Sequence, residues 1–149
     1  MSVYNIERFV SKQEEYYETA YEELKNGKKE SHWMWYIFPQ LKGLGSSSTA
    51  NTYAIRDIKE AIEYLDNDYL YNNLINMCKL LLEVHEKDPV KIFGYVDSLK
   101  LKSSLTLFSL VIEREYITKL DCGVVKKVLD RFYHGKICDY TKENLYGKE

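Results

Sequence analysis

The residues with the most evident chemical potential lie between positions 31 and 48, in the run SHWMWYIFPQLKGLGSSS. Both tryptophans, Trp33 and Trp35, occur here beside His32 and Tyr36. At helical spacing His32 and Tyr36 share one face, with a tryptophan to either side. Aromatic faces can stack on a base or another ring, and an imidazole can act as a general base near neutral pH. Core packing is the alternative role, which we favour for at least one tryptophan.

A glycine- and serine-rich loop follows this aromatic run. It contains Gly43, Gly45 and the serines Ser46, Ser47 and Ser48, and it leads into a short helical segment. Backbone N–H groups and hydroxyls converging at such a point suit a phosphate or a carboxylate. Spacing alone favours the alternative, an ordinary loop with a serine helix cap. No lysine follows the glycines, so the loop matches neither a P-loop nor the GxGxxG dinucleotide motif.

A second polar segment, 92–108, interrupts an otherwise apolar run. In a helix, Asp97 and Lys100 are i, i+3 neighbours, and Ser103 follows within one turn. One interpretation is a helix start, in which Asp97 is the cap and Lys100 forms a surface pair worth under about 1 kcal/mol. The other is a binding site, in which Lys100 and Ser103 donate to an anionic ligand.

The overall charge excludes several classes of partner. The 149 residues include 21 Lys and Arg against 23 Asp and Glu, a net charge of −2. This gives no reason to expect a nucleic-acid polymer or an anionic membrane surface as partner, and no apolar stretch of about 18 residues could span a bilayer. The three cysteines are widely spaced and have no Cys/His cluster nearby, so we expect no disulfide framework, metal site or cofactor and a reducing cytoplasmic location.

Helical periodicity dominates the rest of the chain. The stripe of the first helix comprises Ile6, Phe9, Val10, Gln13, Tyr17, Ala20, Tyr21 and Leu24. Asp57 and Glu60 predict a capping box, and Asp88 with Pro89 predicts a new helix start. Further helices are expected over 69–86, 101–116 and 124–132, and a short last one from 139 or 141. No strand pattern is evident, so we predict a single compact all-α domain of six to eight helices over residues 1–149.

The two polar segments also resemble a known protein family. The run from His32 to Leu41 (HWMWYIFPQL) is rich in rare residues and is similar to the DUF1810 family. Further matches are Gly43-Leu44-Gly45, Ser47, Tyr53-Ala54-Ile55, Glu60-Ala61, Ile92-Phe93-Gly94, Asp97, Lys100-Leu101, Ser103-Ser104 and Thr106-Leu107-Phe108, with Phe132, Gly135, Asp139 and Thr141 in the tail. The resemblance spans essentially the whole chain. It implies a compact all-α domain and no established activity.

Polar residues that this pattern retains favour a binding pocket. Fold-determining positions are normally apolar, whereas the resemblance includes many polar side chains. The candidate ligand-binding residues are His32, Trp35, Tyr36, Gln40, Ser46, Ser47, Tyr53, Asp97, Lys100 and Ser103. We expect no metal ligands among them.

Three functions from different classes fit these residues. The first is a binding protein for an anionic or nucleotide-like small molecule, acting as a sensor or a sequestering protein. The signal could be a compound derived from NAD or ADP-ribose, or a cyclic nucleotide. The second is a hydrolase or glycosidase that uses His32 and Asp97 as acid–base groups. The third is a protein-interaction domain with an aromatic surface.

Overall fold

The chain folds into a bundle of α-helices, seen here in a computed structural model that describes residues 3–148. This part of the chain contains nine helices and no strand, and 66% of its residues are helical. In chain order the helices are α1 (Glu7–Lys25), α2 (Met34–Ile37), α3 (Ser48–Tyr53), α4 (Ile58–Asp66), α5 (Asp68–Glu83), α6 (Pro89–Phe93), α7 (Tyr95–Arg114), α8 (Val124–Tyr133) and α9 (Asp139–Tyr146). The predicted all-α class is confirmed. The nine helices exceed the predicted six to eight, and α2, α3 and α6 have six residues or fewer.

The centre of the bundle is α7. Its buried residues lie on nearly all sides of the helix, since four consecutive positions, Leu105, Thr106, Leu107 and Phe108, are all buried. A helix buried on most of its circumference lies inside a core rather than on its surface. It contacts α4, α6, α8 and α9, and α5 contacts α1, α4 and α8. The longest helices therefore form one continuous core, while α2 and α3 pack at its side.

Local sequence signals explain the starts of α4 and α6. Asp57 Oδ1 accepts the N–H of Glu60 at 2.9 Å, which confirms the Asp57 half of the predicted capping box. The Glu60 side chain accepts the N–H of Arg56 instead of the N–H of Asp57 that a capping box requires. The carboxylate of Asp88 accepts the N–H of Val90, and Pro89 occupies the first turn of α6 as predicted. These caps satisfy N–H groups that have no partner within the helix.

Two local predictions are wrong. Asp97 does not cap α7, because Gly94, with φ of 81°, precedes the first residue of that helix and places Asp97 within the first turn. His32 and Tyr36 do not share a helix face, because α2 begins only at Met34 and His32 lies in the preceding turn.

The loop between α2 and α3 is closed by a short parallel bridge. Leu41 and Ile55 pair in it, with the N–H of Ile55 donating to the carbonyl of Gln40 and the N–H of Lys42 donating to that of Ile55. The bridge thereby holds together the two ends of segment 41–55, which contains the glycine- and serine-rich loop and α3.

No helix within residues 3–148 has both the length and the apolar character that crossing a membrane requires.

A buried ion pair joins the start of α1 to α4. The side chain of Glu60 is fully buried, and Arg8 Nη2 lies 2.8 Å from its Oε2. Arg8 also donates to the backbone carbonyls of Thr52 and Ala54. Arg56 approaches the same carboxylate at 3.7 Å, but 52% of its side chain is exposed.

These two arginines provide a matched test of the pair. Arg8→Ala leaves the Glu60 carboxylate buried without its main partner, so we expect the free energy of unfolding to fall by about 3–5 kcal/mol. Arg56→Ala removes an exposed partner and should cost under about 1 kcal/mol. Urea denaturation of both variants measures the difference, and equal losses would contradict this account.

Candidate functional site

A surface cavity of about 250 Å³ lies where the segment before α2 meets the starts of α3 and α7. Its walls combine charged, hydroxyl and aromatic side chains from these three parts of the chain. The lining residues are Lys29, His32, Trp33, Met34, Trp35, Tyr36, Ser47, Thr49, Asp97 and Lys100.

Two lysines share one carboxylate in the wall. Lys29 Nζ lies 2.8 Å from Asp97 Oδ2, and Lys100 Nζ lies 3.5 Å from Asp97 Oδ1. The Lys29 side chain is 7% exposed, whereas that of Lys100 is 33% exposed. Two ammonium groups against one carboxylate leave one positive charge in the wall, and Lys100 is the more accessible cation.

The position of Lys29 is fixed by its surroundings. Its backbone N–H donates to the carbonyl of Ile92 at 2.7 Å, and its ammonium group donates to the carbonyl of Ser31. The same ammonium lies 4.8 Å from the centre of the Trp33 ring. Lys29 is therefore built into the wall, and Lys100 is left as the group that can reach a ligand.

The turn that contains Lys29 and His32 is held by the carboxylate of Glu23 on α1. Glu23 Oε1 accepts the N–H groups of Glu30 and Ser31 and the indole N–H of Trp33 at 2.8–2.9 Å, and Oε2 accepts the Ser31 hydroxyl. Partial burial would raise the pKa of this carboxyl, but the hydrogen bonds outweigh it and lower the pKa to about 2.

The tryptophan rings are largely committed to packing. Trp33 has no exposed surface and contacts Phe38 and Phe93, which confirms the prediction that one tryptophan serves the core. Trp35 is 8% exposed. Its ring packs so closely against Gly45 that a Cβ on that residue would lie only 2.8 Å from it. Neither ring offers an open face to a base.

Tyr36 is the half-buried ring of the wall. It stacks on Tyr16 with ring centres 5.3 Å apart and meets Tyr53 edge-on at 4.8 Å. Its backbone carbonyl accepts the side-chain amide of Gln13, which also bonds to the Tyr64 hydroxyl in the core. The buried Gln13 therefore ties Tyr36 to the bundle.

Ser47 and Thr49 contribute hydroxyls where the loop enters α3. Ser47 Oγ accepts the N–H of Ala50 at 3.1 Å, so the predicted serine cap is present. Accepting that bond leaves the Ser47 hydroxyl proton available for donation. With only six residues, α3 supplies little dipole of its own, so its contribution to the cavity is its hydroxyl groups.

A family model described as "Protein of unknown function (DUF1810)" matches residues 3–145. The chain belongs to this family. The DUF1810 chain is also similar to the crystal structure of the conserved hypothetical protein Rv1873 from Mycobacterium tuberculosis, with 36% sequence identity and a TM-score of 0.87. The match covers 97% of this chain and 98% of that one. Comparison with the curated proteins gives no match.

The cavity of this DUF1810 protein brings together residues from both polar segments of the sequence. Six of the ten predicted ligand-binding residues line it: His32, Trp35, Tyr36, Ser47, Asp97 and Lys100. Sequence reasoning missed Lys29 and Thr49, and it named Trp33 without placing it in the site. The position of Lys29, three residues before His32, was the one available signal, but its Lys-Lys-Glu run resembles a solvated turn.

The other four predicted residues do not line the cavity. Gln40 is 2% exposed, and its side-chain Nε2 has no hydrogen-bond partner in the described part of the chain. Ser103 is 6% exposed and bonds to the carbonyl of Leu99 on its own helix, as serines inside helices often do. Ser46 is exposed on the loop, and Tyr53 lies behind Tyr36.

His32 and Asp97 share the cavity without contacting each other through a hydrogen bond. His32 is exposed at the rim, and both carboxylate oxygens of Asp97 face lysines. No group of three or more metal-binding side chains occurs in residues 3–148, and the three cysteines are free thiols.

The depressed pKa of Glu23 predicts a stability change in acid. The pKa of this carboxyl is about 2 in the folded protein, below its ordinary 4.5. The ionised carboxyl therefore makes its full contribution to the free energy of unfolding above pH 4.5, and this contribution is lost as the pH falls towards 2. Glu23→Gln should lower the free energy of unfolding at pH 7 by about 2 kcal/mol and flatten the decline in acid. Thermal unfolding from pH 2 to 7 measures both effects, with Glu22→Gln as an exposed control on the same helix. A wild-type decline that Glu23→Gln leaves unchanged would contradict the assignment.

Substitution of Gly45 tests whether the close approach of the loop to Trp35 requires a residue without a side chain. A Cβ there would lie 2.6 Å from the Ala50 Cβ and 2.8 Å from the Trp35 ring, so we expect Gly45→Ala to cost about 1–3 kcal/mol. Gly123→Ala is the control, because nothing lies within 4 Å of its added Cβ. Chemical denaturation measures the free energy of unfolding of both variants. Equal values would show that the loop can move to accommodate the added methyl group without loss of stability.

Proposed function

We propose that this protein binds a small anionic molecule, a phosphorylated or nucleotide-like compound, in the cavity between α2, α3 and α7. The observation that carries the proposal is the pair of lysines on one carboxylate, because it leaves a positive charge in a partly enclosed wall. Charge-assisted hydrogen bonds from an ammonium group to a phosphate are about twice as strong as neutral ones. Hydroxyls from Ser47 and Thr49 supply further donors beside Lys100.

The cavity volume limits what part of the ligand it can enclose. Sites for drug-sized molecules measure about 300–1,000 Å³, and this cavity measures about 250 Å³. A phosphate with its attached sugar suits such a volume, and the remainder of a nucleotide-like molecule would extend over the rim. Because Trp33 and Trp35 are packed away, the half-buried Tyr36 is the ring best placed to contact that remainder. An enclosed phosphate site with one neighbouring ring is sufficient for a protein that senses or sequesters a phosphorylated signal.

The hydrolase or glycosidase alternative is less well supported by the same residues. Asp97 is paired with Lys29 at 2.8 Å and with Lys100 at 3.5 Å, and it has no hydrogen bond to His32. The two residues therefore do not form the hydrogen-bonded pair that acid–base catalysis by His32 and Asp97 would use. We therefore favour binding without chemical change.

A protein-interaction role has one observation in its favour. Val90, Tyr95, Val96 and Leu99, at the junction of α6 and α7, are 43–67% exposed. Neighbouring exposed apolar residues are typical of contact surfaces. A concentration-dependent sedimentation shift that small molecules leave unchanged would favour this function over the first.

The ligand proposal is tested by thermal stabilisation with inorganic pyrophosphate and nucleoside phosphates. Lys100→Ala should weaken binding by roughly ten-fold or more, the equivalent of one charge-assisted hydrogen bond. Ser47→Ala should weaken it less, and each ligand shift is compared with that variant's own unliganded melting temperature because the α3 cap is also lost.

Lys102→Ala is the matched control, since it removes a lysine from the same helix outside the cavity. Ligand-induced shifts that persist in both Lys100→Ala and Ser47→Ala would overturn the placement. Mass spectrometry of the bound compound after long incubation separates the first two functions: an intact ligand supports binding, and a converted one supports catalysis.

A further inference from the structure

A lysine and two tyrosines that do not line the cavity pack around Tyr36, which does line it. Lys12 Nζ lies 5.1 Å from the centre of the Tyr36 ring and 5.7 Å from that of Tyr16. Tyr16 stacks on Tyr36, and Tyr53 meets Tyr36 edge-on. We call these four residues, Lys12, Tyr16, Tyr36 and Tyr53, the Lys12 cluster. Tyr36 belongs both to this cluster and to the cavity wall.

The ammonium group of Lys12 has only a weak protein partner. Glu15 Oε1 lies 3.6 Å away, and 59% of the Glu15 side chain is exposed. Exposed i, i+3 pairs of this kind are screened by solvent and are easily exchanged. Desolvation acts to lower the pKa of Lys12, but the coulombic effects of Glu15 and of the titratable tyrosines around it outweigh desolvation and raise the pKa. Lys12 is thus held in its charged form.

The hydroxyls of the cluster have no hydrogen bond to another described residue. Elsewhere in the fold the tyrosine hydroxyls of Tyr71 and Tyr133 donate to backbone carbonyls. Those of Tyr16, Tyr36 and Tyr53 are in half-buried residues and keep their protons for an external acceptor. A cation that lies 5.1 and 5.7 Å from the ring centres of Tyr36 and Tyr16, in a cluster of residues that carry three such donors, suits a phosphate group.

We infer that the Lys12 cluster is a second anion site, and that the ligand is an organic bisphosphate whose two anionic groups bind at Lys100 and at Lys12 on either side of Tyr36. This inference rests on the proposed function for its first phosphate. The small cavity encloses one phosphate with its attached group, and Tyr36 leads directly from its wall to the cluster. Because Tyr16 stacks on the Tyr36 ring, the rest of the molecule passes along the exposed part of the Tyr36 side chain, and its second phosphate meets Lys12.

A series of alkane bisphosphonates with two to ten methylenes measures the separation of the two sites. Joining two anions makes the second contact intramolecular, which can strengthen binding by about 10²-fold or more when the linker matches the span. We expect a sharp affinity maximum at one spacer length, well above the affinity of methylphosphonate. An affinity that is flat across the series would overturn the inference.

Three variants show which residues bind each of the two phosphonate groups of the probe. At the best spacer, Lys12→Gln and Lys100→Gln should each reduce affinity to about that of methylphosphonate. Tyr16→Phe, which keeps the stacked ring and removes the hydroxyl, should cause a several-fold loss. Lys25→Gln is the control, since it neutralises an exposed lysine on the same helix without touching the cluster.

The outcomes separate this inference from the proposed function. If Lys100→Gln weakens binding and Lys12→Gln does not, the cavity stands and the second site is refuted. If Lys12→Gln weakens methylphosphonate binding and Lys100→Gln leaves every probe unchanged, the proposed cavity function fails while the cluster remains an anion site. If Tyr16→Phe has no effect while Lys12→Gln does, the hydroxyl contribution is refuted.

Discussion

One carboxylate, that of Glu23, determines whether the cavity can exist. The first part of the turn between α1 and α2 is held by backbone bonds, including that of the Lys29 N–H to the Ile92 carbonyl. In its second part, the N–H groups of Glu30 and Ser31 and the indole of Trp33 all donate to this side chain. An acceptor that serves several donors at once is possible because an ionised carboxylate has about four lone-pair positions. Without it, these three donors would lose their common acceptor, and the bonds of Lys29 to Ile92 and Asp97 would have to hold this part of the cavity wall.

The candidate site therefore depends on irregular segments fixed by few contacts to a regular core. The Leu41–Ile55 bridge joins the two ends of the segment that contains the glycine- and serine-rich loop and α3. The hydrogen bond from Gln13 to the Tyr36 carbonyl holds Tyr36 against the centre of the bundle. Functional residues commonly lie on such connections, because helices supply rigidity and loops supply the freedom to arrange different side chains at one point. The lysines and hydroxyls converge here because three separate parts of the chain end at the same side of the fold.

Much of the helical architecture was predictable because its causes are local. The apolar stripe of α1, the Asp57 cap and the Asp88–Pro89 start each depend on neighbouring residues, and the structure has all three. The site was predictable only in part, because burial and convergence are long-range properties. Ser103 resembles a ligand-binding hydroxyl in sequence but lies against the core, while Lys29 resembles a solvated turn residue but is almost fully covered.

The distribution of tryptophan has a spectroscopic consequence. The protein has two tryptophans among 149 residues, and both contribute to the cavity wall. Selective excitation of indole at long ultraviolet wavelengths therefore samples a single region of the molecule. Lys29 lies over one ring and Lys100 lies 6.0 Å from the centre of the other, so a change in either cation's electrostatic environment alters the emission of a neighbouring fluorophore. The native chain thus carries two indole fluorophores beside the charged residues of this cavity, without any attached label.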